Sequence, residues 1–193
     1  MNSTPILKGK HAVVFGAAGS IGSAVAKEFA KESAEVFLSG RDKPRVEAVV
    51  KEITANGGRA HAAAIDTLDD VAVNQYIDGI LKQTGKIDII LDAAGPLAKE
   101  YGNGKLAVDL PIDQFMVPLD TMVRSRFITA RAAARHMVKQ HSGIIILVTG
   151  SPAPRTCPER RQLVQHLARL RISPQTSPSR SALLASGSFA FGR

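Results

Sequence analysis

A glycine-rich turn follows the first apolar segment of the chain. Residues 11–15 read HAVVF, and residues 16–22 read GAAGSIG. Glycine permits a tight strand-to-helix turn and lets a pyrophosphate approach the backbone closely. The helix that follows offers free N–H groups and the positive end of its dipole to the phosphates. We interpret the turn as a dinucleotide site, with a simple tight turn as the alternative. The predicted contacts are Gly16, Gly19, Ser20, Ile21 and Gly22.

The segments around this turn alternate short apolar runs with longer amphipathic ones. The apolar runs predict strands at 11–15, 35–39, 59–65, 87–91 and 144–148. Helices are predicted at 20–33, after an Asp42 N-cap, at 71–84 before Gly85, and at 119–141. Strands rich in Val, Ile and Leu that alternate with helices indicate a parallel sheet covered on both faces. Right-handed crossovers then give a Rossmann-type, doubly wound α/β fold of about five strands. We expect the order 3-2-1-4-5, incomplete at one edge.

These motifs resemble those of the short-chain dehydrogenase/reductase family over residues 8–151. The family turn reads Thr-Gly-x-x-x-Gly-x-Gly; here Gly16 and Gly22 match its first and last glycines, and Phe15 and Ser20 replace its Thr and middle Gly. Asp92-Ala-Ala-Gly95 lies where the family has Asn-Asn-Ala-Gly, and residues 127–137 resemble its long interface helix. The resemblance implies hydride transfer between a nicotinamide cofactor and a small-molecule carbonyl or alcohol. It also implies cofactor contacts from Asp66, Thr67, Ala93, Ala94 and Gly95.

The choice between NADP and NAD depends on the residues that end the second strand. An acidic side chain there holds a 2′-hydroxyl, whereas a 2′-phosphate favours arginine. The sequence is Ser39-Gly40-Arg41-Asp42, with no acid at the strand end itself. We therefore predict NADP, with Arg41 as a contact and NAD as the alternative. Asp42 would favour NAD unless it caps the next helix, and Arg41 would be a solvated charge if the cofactor were NAD.

The catalytic residues that the resemblance implies are incomplete. The family uses a Tyr, a Lys four residues later, a Ser and an Asn; a nearby cation favours the phenolate. The tyrosines of this chain are Tyr76 and Tyr101, neither followed by a Lys at that spacing, and the expected Tyr position lies near Leu163. Met122 stands at the Asn position. Ser151 lies near the Ser position and is the remaining catalytic candidate; the alternative is that it is a polar turn residue after the strand. Activity of this chain is therefore doubtful, and a non-catalytic dinucleotide-binding or partner-binding protein is the alternative.

Residues 152–193 differ sharply in composition from the domain that we predict at 1–151. They contain seven Arg, no Lys and one acid, so most of the net charge of +8 lies in them. A segment rich in Pro, Ser and Arg buries too little apolar area to offset its ordering entropy, and we predict a partly helical or disordered tail. The change near Ser151–Thr156 motivates the hypothesis of a frameshift or aberrant junction, which would truncate the fold after its fifth strand.

Composition excludes several other classes of protein. No apolar run reaches the roughly 18 residues that span a bilayer, and we find no secretory signal. The single cysteine, Cys157, is typical of a reducing compartment, so we expect a cytoplasmic protein. The histidines lack metal-ligand spacing, and the tail arginines lack interleaved aromatics, so we expect neither a metal nor a nucleic-acid partner. A homo-oligomer paired through the 119–141 helix is possible by the resemblance.

Overall fold

The protein is described from a computed structural model, which places residues 5–96, 98–102, 105–149 and 188–191. Five parallel strands form the centre of the sheet: β1 (His11–Phe15), β2 (Glu35–Gly40), β3 (Arg59–Ala64), β4 (Ile89–Asp92) and β5 (Gly143–Leu147). Their order is β3-β2-β1-β4-β5, which confirms the predicted doubly wound arrangement. The strands lie within two residues of the predicted bounds.

A sixth strand extends the sheet beyond β5. This strand, β6 (Ser188–Phe191), pairs antiparallel with β5, with Gly143 opposite Phe191 and Ile146 opposite Ser188. The sequence analysis predicted an incomplete edge at β5 and no strand in the tail. Four residues are too few for an alternating pattern to stand out from the surrounding sequence. Most of the predicted 152–193 tail and its boundary with the first domain lie outside the described residues.

Helices cover both faces of the sheet, because side chains alternate in direction along each buried strand. On β1, Ala12 and Val14 pack against α1 (Ser20–Lys31) and α2 (Lys43–Ala55), whereas Val13 and Phe15 face the opposite side. There they pack with α3 (Asp70–Thr84) and α5 (Arg124–Gln140). The core is therefore two apolar layers separated by the sheet.

The helix ends follow the capping signals in the sequence. The Asp42 carboxylate accepts a hydrogen bond from the Arg45 N–H and caps α2, as predicted. Asp69 caps α3 in the same way through the Ala72 N–H. Gly85 ends α3 in the left-handed conformation, at φ +75°, which L-residues rarely adopt.

The long helix predicted at 119–141 is longer and less regular than expected. It begins with α4 (Ile112–Pro118), passes through one π-helical turn at Leu119–Val123, and continues as α5. Pro118 has no N–H to donate, so the regular α-helical pattern of hydrogen bonds is interrupted where the π-helical turn follows. The predicted loop at 95–111 contains two short 3₁₀ turns, Ala98–Tyr101 and Ala107–Asp109.

An ionic network ties the amino ends of the strands together. Asp88 accepts hydrogen bonds from the His11 N–H at 3.0 Å, from Lys10 Nζ at 2.9 Å and from Lys86 Nζ at 3.2 Å. Burial acts to raise the pKa of the Asp88 carboxyl, but these donors outweigh it and hold that pKa below its usual value. The network lies at the end of the sheet opposite the cleft described next.

Candidate nucleotide-binding site

A cleft opens at the carboxyl ends of β1, β2, β3 and β4. The strand order reverses between β1 and β4, and in open α/β sheets such a reversal leaves a crevice where ligands bind. The predicted residues that line the cleft are Gly16, Gly19, Arg41, Asp66, Thr67, Ala93, Ala94 and Gly95. Lining residues that the sequence analysis missed include Arg45, Glu100, Thr121 and Ser125.

The glycine turn is built for close backbone approach. Gly16 has φ +73°, and a Cβ there would lie 2.6 Å from Ala94 N and 2.7 Å from the Ala93 carbonyl carbon. A Cβ on Gly22 would collide with the Gly16 carbonyl oxygen. Neither position tolerates a side chain without backbone movement. Close packing therefore requires glycine at the first and last positions of the turn. A simple tight turn would have the same requirement, so it does not distinguish the two interpretations.

At the amino end of α1, Gly19 lines the cleft, whereas the predicted contacts Ser20, Ile21 and Gly22 do not. Gly19 is the N-cap of α1, and among the described residues no side chain caps this end. The N–H groups of the first helical turn, at Ser20, Ile21 and Gly22, have no partner within the helix. Ser20 and Ile21 are exposed, and Gly22 is buried against the turn. Uncapped amides beside a glycine cradle match the chemistry of a pyrophosphate, so these residues fit the phosphates of a dinucleotide.

The end of β2 presents two arginines and one carboxylate that caps a helix. Arg41 and Arg45 are exposed and line the cleft, while the Asp42 carboxylate is engaged by the Arg45 N–H at 3.2 Å. The Arg45 guanidinium also donates from Nη2 to the Ala18 carbonyl at 3.2 Å, which places it against the glycine turn. Arg45 lies three residues after the predicted Asp42 cap, in the first turn of α2. That position could have identified Arg45 as a residue at this end of the cleft.

The end of β3 contributes a self-contained turn. The Asp66 carboxylate accepts from the Leu68 N–H at 3.0 Å, and Thr67 is buried at 9% exposure. Asp66 is itself exposed at the cleft, so its second oxygen is accessible to a ligand.

Asp92, at the end of β4, organises the inner end of the cleft. Its carboxylate is fully buried and accepts from the Ala94 N–H at 2.9 Å, from Ser125 Oγ at 2.9 Å and from Thr129 Oγ1 at 2.8 Å. Asp92 therefore holds the Ala93–Gly95 segment against the start of α5. Asp92 was expected only as part of the Asp92-Ala-Ala-Gly95 motif, without these partners.

Two hydroxyl side chains line the cleft on either side of Met122, which stands at the position of the family's Asn. Thr121 and Ser125, four residues apart across the π-helical turn, line the cleft together. Neighbouring Arg126 donates from Nε to the Val148 carbonyl at 3.0 Å, and its Nη2 contacts the same oxygen. Burial lowers the pKa of the Arg126 guanidinium, and the nearby Asp92 carboxylate opposes that effect. Arg126 thus joins α5 to the segment that follows β5.

The tyrosines do not supply the missing acid/base. Tyr76 packs edge-on against Phe15 at 6.1 Å, and its buried hydroxyl has no hydrogen-bond partner among the described residues. Burial raises the pKa of that phenol above its usual range, which disfavours phenolate. Tyr101 ends a short 3₁₀ turn and does not line the cleft. Ser151, the catalytic candidate, lies outside the described residues.

A parallel sheet with a glycine-rich first turn at its switch point defines a Rossmann-type nucleotide-binding fold. The family model described as short chain dehydrogenase matches residues 10–157 of the chain. The chain belongs to the short-chain dehydrogenase/reductase family, as the sequence analysis predicted. The uncharacterized oxidoreductase UxuB of Bacillus subtilis (strain 168) is 32% identical over 157 residues, covering 76% of this chain and 56% of that protein. The chain spans about half the length of the curated relatives it matches.

Solved structures agree on the fold and differ in their cofactor. A metagenomic short-chain oxidoreductase in complex with NADP is 27% identical, with a TM-score of 0.67, over 78% of this chain and 66% of that one. An NAD⁺-bound xylitol dehydrogenase is 25% identical, with a TM-score of 0.71, over 83% of this chain and 60% of that one. The family binds a nicotinamide dinucleotide, but these two structures do not decide between NADP and NAD⁺.

The described residues form neither a metal centre nor a membrane-spanning helix. No group of His, Cys, Asp and Glu in that part of the chain is arranged to hold a metal ion. None of its helices combines the length and apolar character that crossing a bilayer requires.

Proposed function

We propose that this chain binds NADP(H) along the cleft, as the nucleotide-binding part of a short-chain oxidoreductase. The pyrophosphate would lie at the amino end of α1, the adenine half would extend toward Asp66 and Thr67, and the nicotinamide half would extend toward Ala93–Gly95. Bound there, the cofactor would supply hydride exchange with a small-molecule carbonyl or alcohol. The chain's own residues would bind and orient it.

The observation that carries the preference for NADP is the pair of arginines at the end of β2. Arg41 and Arg45 both line this end of the cleft. The Asp42 carboxylate uses Oδ1 to cap α2 by accepting from the Arg45 N–H, which leaves only Oδ2 for a 2′-hydroxyl. Two guanidinium groups favour a 2′-phosphate through charge-assisted hydrogen bonds.

Two parallel titrations test whether the chain prefers NADPH to NADH. NADPH fluorescence would report binding to the full chain, and NADH would be titrated under the same conditions. We expect NADPH to bind at least about tenfold more tightly, since a charge-assisted hydrogen bond contributes about 1.5–3 kcal/mol. Equal affinity for both nucleotides would refute the preference for NADP, and binding of neither would refute the proposed function.

A second candidate is a dinucleotide-binding protein that does not turn over. It rests on the buried hydroxyl of Tyr76, which packs beside Phe15, and on the absence of Tyr and Lys from residues 152–193. The full chain would be incubated with NADPH and a panel of ketones, and with NADP⁺ and the matching alcohols. Turnover would be followed by the absorbance of NADPH at 340 nm. Binding without any absorbance change across the panel would favour this candidate; turnover of any member would favour the oxidoreductase.

We also propose that two copies of the chain pair through the helix that contains α5. Val123 and Phe127 are 64% and 62% exposed on one side of this helix, one helical turn apart. Large exposed apolar side chains in line on a helix are typical of a contact surface. A cytoplasmic location remains a prediction from the sequence, which subcellular fractionation of the source organism would test.

A further inference from the structure

The hydroxyl hydrogen of Ser125 is already committed inside the protein. Ser125 is 3% exposed and lines the inner end of the cleft, and its Oγ donates to the Asp92 carboxylate at 2.9 Å. A serine hydroxyl has one hydrogen and two lone pairs. A carboxylate can only accept, so the hydrogen points at Asp92. Ser125 therefore offers the cleft only lone pairs.

Thr121 has the same polarity for an independent reason. Its Oγ1 donates to the carbonyl oxygen of Val117, one turn earlier on the helix. This bond uses the hydroxyl hydrogen of Thr121 as well. The inner wall of the cleft thus presents two acceptor oxygens, on Thr121 and Ser125, and no hydroxyl donor from either.

We propose that this acceptor wall selects a hydrogen-bond donor on the nicotinamide half of the cofactor, and that Asp92 is the positioning residue that sets its polarity. The inference rests on the proposed function, which places the nicotinamide half at this end of the cleft. The donor is a ribose hydroxyl or the carboxamide N–H₂ group. An acceptor-only group, such as a carboxylate, is rejected because it would face two lone pairs.

The hydrogen bonds of Asp92 allow the donor and acceptor roles at the cleft wall to be reversed by a substitution that barely changes the shape of the side chain. Ser125 and Thr129 both donate to Oδ2, whereas the Ala94 N–H donates to Oδ1. In Asp92→Asn, Oδ1 still accepts from Ala94, and an Nδ2 in place of Oδ2 donates to both hydroxyl oxygens. Thr129 can then donate to the Ser125 carbonyl, which lies 3.0 Å from its Oγ1. The hydrogen of Ser125 is released toward the cleft.

The test compares two ligands on the full chain by calorimetric titration. NADPH reaches both ends of the cleft, whereas adenosine 2′,5′-bisphosphate carries only the adenine end. We expect D92N to weaken NADPH about tenfold, the cost of setting a donor against a donor, and to change bisphosphate binding less than about twofold. The unchanged bisphosphate affinity is the control that the rest of the site remains folded.

Ser125→Ala separates polarity from a general structural effect. S125A removes the acceptor, so it should itself weaken NADPH and spare the bisphosphate. In the S125A background, D92N should weaken NADPH by no further than about twofold, because Asp92 acts through Ser125. S125A also keeps the proposal falsifiable if D92N fails to fold.

A third ligand identifies the donor. Nicotinic acid adenine dinucleotide phosphate replaces the carboxamide with a carboxylate. If wild type binds it about tenfold more weakly than NADP⁺ and D92N narrows this ratio, the carboxamide is the donor; an unchanged ratio assigns the ribose hydroxyl. Wild-type affinity for NADPH in both D92N and S125A would overturn the inference. Failure of the wild-type chain to bind either NADPH or the bisphosphate would instead overturn the proposed function.

Discussion

Gly16 and Gly9 form a matched pair that separates backbone strain from close packing. Both have φ +73°, but a Cβ on Gly9 would meet no atom within 4 Å, whereas one on Gly16 would lie 2.6–2.8 Å from the backbone of Ala93 and Ala94. Alanine in the left-handed region costs about 1–2 kcal/mol at either position. The overlap at Gly16 adds the cost of overpacking, about 1–3 kcal/mol. We expect G9A to lower the free energy of unfolding by about 1–2 kcal/mol and G16A by about 2–5 kcal/mol.

Urea unfolding followed by circular dichroism measures both losses. Because the shifted backbone at Gly16 and Ala94 lines the cleft, G16A should also weaken NADPH binding, and G9A should not. The reasoning is refuted if the two variants lose the same free energy within about 0.5 kcal/mol and G16A keeps its NADPH affinity.

The remaining predictions concern charge, acid stability, assembly and the coding frame. In fluorescence titrations, R41A and R45A should each lower the affinity for NADPH about tenfold and leave the affinity for NADH unchanged. The control K51A, which removes an exposed cation on the same helix as Arg45, should change neither affinity. Equal losses of affinity for NADH would contradict this prediction. The depressed pKa of Asp88 contributes stability that is present above its unfolded value of about 3.8 and is lost as pH falls through the lower folded value, so D88N should be less stable at pH 7 and flatter below pH 4 in thermal unfolding; parallel pH profiles would exclude the effect. F127S should convert a dimer to a monomer in sedimentation velocity, and a wild-type monomer would disprove the pairing. Sequencing the DNA across codons 145–165 should reveal a Tyr-x-x-x-Lys helix in another frame; its absence from all frames would remove the frameshift hypothesis.

Local signals in the sequence were enough to predict the fold. Each buried strand is a short apolar run, and Asp42 and Gly85 carry the helix signals that the structure confirms. The five-strand order followed from them, whereas the family followed from the resemblance of the glycine turn and of Asp92-Ala-Ala-Gly95. The π-helical turn was missed because one extra residue per turn leaves no distinct hydrophobic period, and β6 because its partner strand lies more than 40 residues earlier in the chain.

The adenine end of the cleft was easier to predict than its inner end. Gly16, Arg41 and Asp66 each lie within two residues of a strand end, so strand positions alone bring them together. Ser125 lies on a helix, and its approach to Asp92 depends on how that helix packs against β4. Such a contact, made over 33 residues of sequence, has no local signature.

Hydrogen exchange of the full chain with and without NADPH tests most directly whether the cofactor lies in this cleft. We predict slower exchange in peptides that cover residues 16–22 and 93–95, because the amides of the turn and of the β4 end would contact or enclose the cofactor. Peptides at the opposite end of the sheet, around Lys10 and Lys86, should not change. Protection confined to other parts of the chain, or no protection at saturating NADPH, would contradict the proposed site.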